Sequence, residues 1–299
     1  MLTICTPTYN RDRLLNDLYK SLRSQTDKEF EWIVIDDGST DSTERKVTQW
    51  RDSEEGFPII YIKKSNGGKH TAVNIGIELA HGYYFIIVDS DDYLTKDAVK
   101  TIHEEFVKLP CGKYAGLGFN RIFENGDIVG KTFEGEFIDA SNFKRTKLGI
   151  QGDKAEVFFT NIIKQYRFPV FEGENFLTEA IMWNRIANDG YVLRWINKGF
   201  YVCRYQPDGL SMRSGTLKAY NGYSLYIREL LRYREIPTIE KIKWLGVYSF
   251  LCHENGISDI QTSTKIEKSV FLIWISRVLY SLKSRGTTNA RKNRLRINS

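Results

Sequence analysis

A cluster of three carboxylates closes one of the most apolar runs of the chain. Asp89, Asp91 and Asp92 directly follow the run at residues 84–88, which is typical of a fully buried strand. Like charges crowded into one turn repel each other unless a cation neutralises them, and carboxylate oxygens at this spacing suit Mg²⁺ or Mn²⁺. The cluster therefore indicates a divalent-metal site, although a solvated acidic turn that caps a helix has the same composition.

Four short runs of β-branched and aromatic residues predict strands, and amphipathic helical patterns separate them. The predicted strands cover residues 2–5, 32–35, 59–62 and 84–88. In the first helical pattern, at 11–25, four leucines share one face and Asn10 is placed to cap the helix. Strands that alternate with helices predict an α/β fold with a mostly parallel central sheet flanked by helices.

Each predicted strand ends in a polar turn. The turns lie at residues 6–11, 36–41, 66–70 and 89–92. Ligands of open α/β sheets bind outside the carboxyl ends of the strands, so the four turns predict one crevice. The first turn lacks G-x-G-x-x-G and the chain lacks G-x-x-x-x-G-K-[ST], which argues against a dinucleotide-binding Rossmann domain and a P-loop.

The chemistry of these turns suits a nucleotide diphosphate. Asp37 could accept a hydrogen bond from the imide N–H of uracil, and Tyr9 offers an aromatic face. Gly67 and Gly68 expose backbone N–H groups beside Lys69, whose point charge suits phosphate. A metal in the acidic cluster would bind the diphosphate. Ordinary turn and loop geometry is the alternative explanation for the glycines and for Asp37.

Taken in order, the turns resemble the signature of the family 2 glycosyltransferases, which have the GT-A fold. The matching segments include T-P-T-Y-N-R at 6–11, W-I-V-I-D-D-G-S-T-D at 32–41, N-G-G-K at 66–69 and V-D-S-D-D at 88–92. Later segments at 152–156, 174–179, 183–185 and 208–211 look like a subgroup found in bacterial capsular, exopolysaccharide and teichoic-acid assembly. The resemblance implies an inverting, metal-dependent hexosyltransferase. Its donor would be a UDP-hexose or UDP-N-acetylhexosamine, and its acceptor a lipid-linked or polymeric glycan.

The resemblance also implies roles for individual residues. The nucleotide would be bound by Thr6, Pro7, Tyr9, Arg11, Asp37, Gly68, Lys69, Asp89 and Ser90. Asp91, in the family's DXD motif, would be the direct ligand of Mn²⁺ or Mg²⁺, and Asp89 and Asp208 are further candidates for that site. Asp92 is the alternative to Asp91. A plain Pro-Asp-Gly turn is the alternative for Asp208.

Inversion in one displacement requires a carboxylate that takes the proton of the acceptor hydroxyl. Glu179 is the predicted base, because Thr178 can cap a helix whose first turn would point at the crevice. Glu179 could instead only complement the dipole of that helix. Ala180 stands where the family often has Asp, so Glu174 and Glu172 are the alternatives for the base.

Composition predicts a cytoplasmic enzyme with an appendage. The 299 residues are 41% apolar, enough for one catalytic unit and a further region. Four scattered cysteines and the lack of a signal-peptide pattern predict a reducing compartment. We expect a nucleotide-sugar-binding half at 1–112, a half with the base and acceptor surface at 113–213, and a helical C-terminal region at 214–299.

The net charge of +6 is concentrated at the C-terminus, where eight basic residues and no acidic residue follow Glu267. Aromatic residues are not interleaved with these charges, which argues against a nucleic-acid partner. Residues 270–282 are mostly apolar, with their polar members on one helical side. Such a helix reaches about 20 Å, so it would lie in a membrane interface rather than span a core of roughly 30 Å. This predicts peripheral attachment to an anionic inner membrane face; a core helix or an oligomer contact is the alternative.

A competing function is a non-catalytic nucleotide- or glycan-binding component of a polysaccharide assembly complex. The intact acidic cluster and Glu179 favour catalysis, because a scaffold does not need them. A nucleotidyltransferase would require a Gly-rich basic first loop, and residues 6–11 do not form one.

Overall fold

The computed structural model of the chain describes residues 1–204 and 219–282. It divides into two compact units, Met1–Pro207 and Asp208–Ser299. Asp208, a predicted metal ligand, lies outside the described residues. The first unit carries the sheet, and the described part of the second unit is helical.

The first half of the first unit alternates strands and helices. In chain order these are β1 (Leu2–Thr8), α1 (Leu15–Arg23), β2 (Phe30–Asp36), α2 (Thr43–Ser53), β3 (Ile59–Lys63), α3 (Lys69–Leu79) and β4 (Tyr84–Ile87). β1 pairs in parallel with β2 and with β4, and β2 pairs in parallel with β3. The four predicted strands and their parallel pairing are therefore confirmed. Their carboxyl ends, with the polar turns, lie at one edge of the sheet.

The remaining strands extend the same sheet. The elements are β5 (Tyr93–Leu94), α4 (Ala98–Val107), β6 (Tyr114–Ile122), β7 (Phe137–Ala140), a 3₁₀ helix (Arg145–Leu148), β8 (Lys154–Phe159), α5 (Thr160–Ile163), α6 (Ala180–Asn188) and β9 (Val192–Val202). The strand order is β3-β2-β1-β4-β8-β6-β9-β5, and β7 pairs with β9. β8 runs antiparallel to both β4 and β6. Strands from both predicted halves thus share one sheet, and the functional division at residue 112 stays a prediction.

The core of the first unit forms because the apolar runs are buried on both faces of the sheet. Every residue of β1 and β2 is buried. Against these strands α1 packs Leu15, Leu18 and Leu22, which are fully buried and share one helical side. Truncating such a leucine to alanine costs about 2–5 kcal/mol. This packing fixes the strand ends at which the polar turns begin.

The start of α1 differs from the prediction. The helix begins at Leu15, and Asn10 does not cap it. Asn10 has a positive φ of 52°, which Asn tolerates better than most residues. Its Oδ1 accepts a hydrogen bond from the Thr40 N–H at 2.8 Å, and its own N–H donates to Ser39 Oγ at 2.8 Å. Asn10 therefore joins the first two polar turns instead of starting a helix.

The second unit contains four described helices. They are α7 (Tyr220–Arg232), α8 (Thr238–Glu254), α9 (Asp259–Ile266) and α10, described over 270–282. Within residues 219–282, the predicted helical character is confirmed. No helix within 1–204 or 219–282 combines the length and the apolar character needed to cross a membrane.

Candidate functional site

Asp37, at the end of β2, holds the turn that follows β3. Its carboxylate accepts hydrogen bonds from the backbone N–H groups of Gly67 at 2.9 Å and Gly68 at 2.7 Å. The side-chain amide of Asn66 donates a hydrogen bond to Asp37 Oδ2 at 3.2 Å, and Lys64 Nζ lies 2.5 Å from Asp37 Oδ1. Asp37 is 4% exposed, and these donors compensate its burial. A uracil contact by Asp37 stays a prediction and would have to share this carboxylate with the turn.

The same turn supports the segment that leads to the predicted base. Gly68 has a φ of 91°, and a Cβ at this position would collide with the backbone oxygen of Asn175. The Asn175 side chain donates a hydrogen bond to Asn66 Oδ1 at 3.0 Å. Glycine is therefore required at position 68, both for its left-handed backbone and for the close approach of residue 175. The segment that leads to the predicted base lies directly against the predicted phosphate turn.

Lys69, the first residue of α3, brings the predicted functional groups together. Its Nζ lies 2.5 Å from Asp89 Oδ1 and 2.9 Å from Glu179 Oε1. Burial alone would lower the pKa of Lys69, but the two carboxylates raise it above its ordinary value. The ammonium therefore stays charged, and one cation joins the acidic cluster after β4 to the carboxylate before α6.

Glu179 occupies the position expected of a base at a helix terminus. It immediately precedes α6, which begins at Ala180. The N-cap position is Glu179 and not Thr178 as predicted, and Thr178 Oγ1 accepts a hydrogen bond from the Ala180 N–H at 3.3 Å. An acidic residue at this end of α6 complements the helix dipole. Of the alternatives, Glu174 is buried and Glu172 is exposed.

Arg121, in β6, is a site residue that the sequence analysis missed. Its Nη1 lies 3.4 Å from Asp89 Oδ2 and 3.8 Å from Asp92 Oδ2. The guanidinium stacks 4.1 Å from the ring centroid of Tyr201, whose hydroxyl accepts a hydrogen bond from the Asp89 N–H at 2.8 Å. An arginine in a strand that is apolar apart from Asn120 was the available signal, because a buried arginine requires an anionic partner.

The three clustered carboxylates differ in their electrostatic surroundings. Burial alone would raise the pKa of Asp89, but Lys69 and Arg121 hold it at about 2. The pKa of Asp92 is raised to about 7, mainly by burial and to a smaller extent by the negative charge of Asp89. The same two causes raise the pKa of Asp91. In the described ranges, Asp91 forms no ion pair within 4 Å, so it is the carboxylate of the cluster that most needs a cation.

A divalent cation fits Asp91 if substrate supplies the other ligands. Within the described part of the chain, no three His, Cys, Asp or Glu side chains converge on a point where they could hold a metal. Mg²⁺ and similar ions are commonly held by one or two carboxylates together with substrate phosphates. Both oxygens of Asp89 already face cations. Direct ligation by Asp89 stays a prediction, and the metal would have to share its carboxylate with Lys69 and Arg121.

Glu156, in β8, is a further buried carboxylate of this region that the sequence did not single out. Arg145 Nη1 lies 3.3 Å from its Oε1. Burial raises the pKa of Glu156 to about 7, and the charge of Glu179 adds to this rise although Arg145 and Arg121 oppose it. Glu156 is therefore more easily protonated than Asp89, whose pKa is held low by its two cationic neighbours.

The other predicted nucleotide-binding residues lie at the ends of the central strands. Tyr9 is 48% exposed directly after β1, so its ring is accessible to a base. Thr6 is completely buried, and its Oγ1 accepts a hydrogen bond from Trp32 Nε1 at 2.9 Å. The structure thus gives the Thr6 side chain a packing role. Pro7 and Ser90 are also buried, and their nucleotide contacts stay predictions.

This arrangement agrees with the comparison to known protein families. The sequence model described as Glycosyl transferase family 2 matches residues 3–172, more than half of the chain. The chain belongs to glycosyl transferase family 2. The Salmonella typhimurium abequosyltransferase RfbV is 37% identical over 246 residues, which cover 76% of this chain and 74% of RfbV. This member of the family therefore matches RfbV over most of its length.

Two further relatives come from other bacteria. A Campylobacter jejuni GalNAc(5)-diNAcBac-PP-undecaprenol beta-1,3-glucosyltransferase is 27% identical over 231 residues, covering 76% of this chain and 71% of the relative. Glycosyltransferase GlyA of Streptococcus pneumoniae is 26% identical over 224 residues, covering 70% of this chain. The matched region spans only 31% of GlyA, so this family 2 member matches less than a third of that relative.

Solved structures confirm the predicted GT-A fold of the family. S. aureus TarS 1-349 in complex with UDP-GlcNAc has a TM-score of 0.63 at 21% identity, covering 85% of this chain and 72% of TarS. A Pyrobaculum calidifontis mannosyltransferase in complex with GDP-Man and Mn²⁺ has a TM-score of 0.56 at 15% identity. The match covers 97% of this chain and 79% of the mannosyltransferase. At these identities the likeness concerns the fold.

A substitution at Gly68 tests whether the turn supports the segment that leads to the predicted base. We expect Gly68→Ala to lower the free energy of unfolding by about 1–3 kcal/mol and sugar transfer by at least about tenfold, because the new Cβ must displace Asn175. Thermal unfolding and UDP release are the measurements. Gly67→Ala is the matched control, since its Cβ would lie 3.1 Å from the flexible ends of Lys64 and Thr71. Equal losses for the two variants would contradict this role of Gly68.

Proposed function

We propose that the enzyme transfers a hexose or N-acetylhexosamine from a UDP-sugar to a lipid-linked or polymeric glycan, with inversion and with the help of a divalent metal. The observation that carries this proposal is the position of Lys69 between Asp89 and Glu179. It connects the predicted diphosphate-binding edge of the sheet to a carboxylate that can act as a base. The reaction would belong to the synthesis of bacterial surface polysaccharides.

A uridine nucleotide is the proposed donor moiety. The exposed ring of Tyr9 and the carboxylate of Asp37 stand at neighbouring strand ends, where a pyrimidine could stack and form a hydrogen bond. The UDP-GlcNAc bound to TarS, which has the same fold, supports this choice. The sugar itself would be decided by the shape of the pocket.

Asp91 would hold the Mn²⁺ or Mg²⁺ ion, with Asp208 as a predicted further ligand. When bound, the metal neutralises the charge that develops on the departing diphosphate. Lys69 and Arg121 would keep Asp89 ionised and fixed beside the metal site. The Mn²⁺ in the structurally similar mannosyltransferase supports a divalent cation.

Glu179 would activate the acceptor. The acceptor hydroxyl oxygen attacks the anomeric carbon from the face opposite the diphosphate, forming a new C–O bond while the bond to the diphosphate oxygen breaks. The hydroxyl proton passes to the carboxylate of Glu179, and UDP leaves with the electron pair of the broken bond. One displacement of this kind inverts the anomeric centre.

The acceptor is proposed to be attached to a lipid. The Campylobacter relative is named for an acceptor carried on PP-undecaprenol, which supports a lipid-linked glycan here. The enzyme would then work in the cytoplasm, attached peripherally to the inner face of the cell membrane. Its C-terminal basic segment would provide this attachment.

A donor screen tests the proposed function. The full chain is incubated with a panel of UDP-sugars and GDP-mannose, with Mn²⁺ or with EDTA, and the release of nucleotide diphosphate is measured. We expect one UDP-sugar to be hydrolysed or transferred in Mn²⁺ and to be left intact in EDTA. Tight UDP binding without turnover of any donor or added glycan would favour the non-catalytic alternative, and turnover of GDP-mannose alone would overturn the uridine assignment.

A further inference from the structure

The last described helix of the second unit packs through its more polar side. In α10, Ile273 and Ser276 are buried. A Cβ at Gly246 of α8 would lie 2.5 Å from the backbone oxygen of Ser276, so these small residues allow the two helix backbones to approach closely. Arg277 Nη2 lies 2.8 Å from Asp259 Oδ2. The serine and arginine side of α10 thus faces the other helices of its unit.

The opposite side of α10 is apolar and exposed. We call it the outer face; it consists of Phe271, Trp274, Leu279 and Leu282, which are 68%, 47%, 52% and 64% exposed. The helices of a water-soluble domain normally bury their apolar side and expose their polar side. This helix does the reverse, and large exposed apolar surfaces mark sites of contact with membranes or proteins.

We propose that the outer face binds the surface of a membrane that contains anionic lipids. This inference rests on the proposed attachment to the membrane and names the surface that makes it. Residues 268–299 carry eight basic side chains and no acidic one, so the sequence around and after α10 is complementary to an anionic leaflet. A second copy of the chain would bring the same positive charges together, which disfavours self-association through this face.

The size and composition of α10 agree with a position in the plane of the interface. Thirteen described residues extend about 20 Å, short of the roughly 30 Å hydrocarbon core. Trp274 and Phe271 belong to the side-chain types that settle at the level of the lipid headgroups. The outer face would enter the acyl boundary while the basic residues stay among the headgroups.

Vesicle flotation with the full chain tests the contact. We expect binding to vesicles of equal parts phosphatidylcholine and phosphatidylglycerol at low salt, and weaker binding to phosphatidylcholine alone or at high salt. Phe271→Glu should lower the partition coefficient at least about tenfold. Val107→Glu is the matched control, because Val107 is 85% exposed at the end of α4 in the first unit. It should bind as the wild type does.

Fluorescence quenching identifies the residue that enters the bilayer. Lipids brominated in their acyl chains should quench the emission of Trp274, which is 47% exposed, whereas Trp32 and Trp195 are buried. Trp274→Phe should still bind the vesicles but lose this quenching. Circular dichroism of each variant checks that the helices remain folded.

Three results would overturn the proposal. The first is that the wild-type chain does not bind the mixed vesicles at low salt. The second is that Phe271→Glu and Val107→Glu have equal partition coefficients. The third is that sedimentation shows a dimer for the wild type but not for Phe271→Glu, which would make the outer face a contact between copies. Donor hydrolysis is measured in parallel. A Phe271→Glu protein that hydrolyses donor but no longer binds vesicles supports the membrane contact. A wild-type chain that binds vesicles and turns over no donor would instead contradict the proposed reaction.

Discussion

Replacement of Glu179 by Gln should lower kcat by about 10² to 10⁴ while donor binding stays near that of the wild type. Gln keeps the size of the side chain before α6 but cannot take the proton of the acceptor hydroxyl. Lys69 keeps its second partner, Asp89, at 2.5 Å, so the acidic cluster should remain neutralised. Steady-state kinetics of UDP release in the presence of acceptor, with UDP affinity measured by calorimetry, separates the two effects.

Glu172→Gln is the matched control for this substitution. Glu172 lies in the same segment before α6 and is exposed, so the same chemical change there should leave kcat within threefold of the wild type. If instead Glu179→Gln stays within threefold, the base is not Glu179. A loss in Glu172→Gln or Glu174→Gln would then locate it.

Replacement of Asp91 by Asn should lower kcat/KM by at least about a hundredfold, because a bound metal supplies several kcal/mol of charge stabilisation to the departing diphosphate. Among the described residues, Asp91 has no cationic partner within 4 Å, whereas Asp89 lies between Lys69 and Arg121. The variant should bind UDP more weakly than the wild type in Mn²⁺ and equally well in EDTA. Calorimetry in both conditions measures this difference.

Asp127→Asn controls for the loss of one negative charge. Asp127 lies in an exposed turn after β6, and its substitution should change neither UDP affinity nor turnover. Equal UDP affinities of Asp91→Asn and the wild type in Mn²⁺ would remove Asp91 from the metal site. Asp92→Asn would then be the next variant to measure.

The sequence by itself determined the parallel core and the edge that carries the site. The runs at 2–5, 32–35, 59–62 and 84–88 are apolar over several consecutive residues, and each is followed by a polar turn. These are local signals, and strands that alternate regularly with helices are typically parallel. The alignment of their carboxyl ends then follows without knowledge of the tertiary structure. Asp37, Lys69 and Asp89 could therefore be assigned to one crevice from their positions after strands.

Other features depend on contacts between residues far apart in the chain. The ion pair that joins Lys69 to Glu179 and the ion pairs of Arg121 with the acidic cluster connect elements that no local pattern relates. Asn10 was a plausible helix cap by type, but its partners are Ser39 and Thr40 of the next turn. Propensity describes what a residue can do, and the neighbouring segment decides which of these interactions forms.

The orientation of α10 is the clearest feature that the sequence alone does not determine. The periodicity of residues 270–282 separates a polar side from an apolar side, and the hydrophobic effect acting on that sequence alone would bury the apolar one. Only the tertiary structure shows Ser276 buried against Gly246 and Trp274 exposed. The reason is steric as well as electrostatic: small residues let the helices approach closely, and Asp259 pairs with Arg277 on the inner side. Which side of a helix packs is decided by the complementary surface that it meets, and that surface is assembled only when the chain folds.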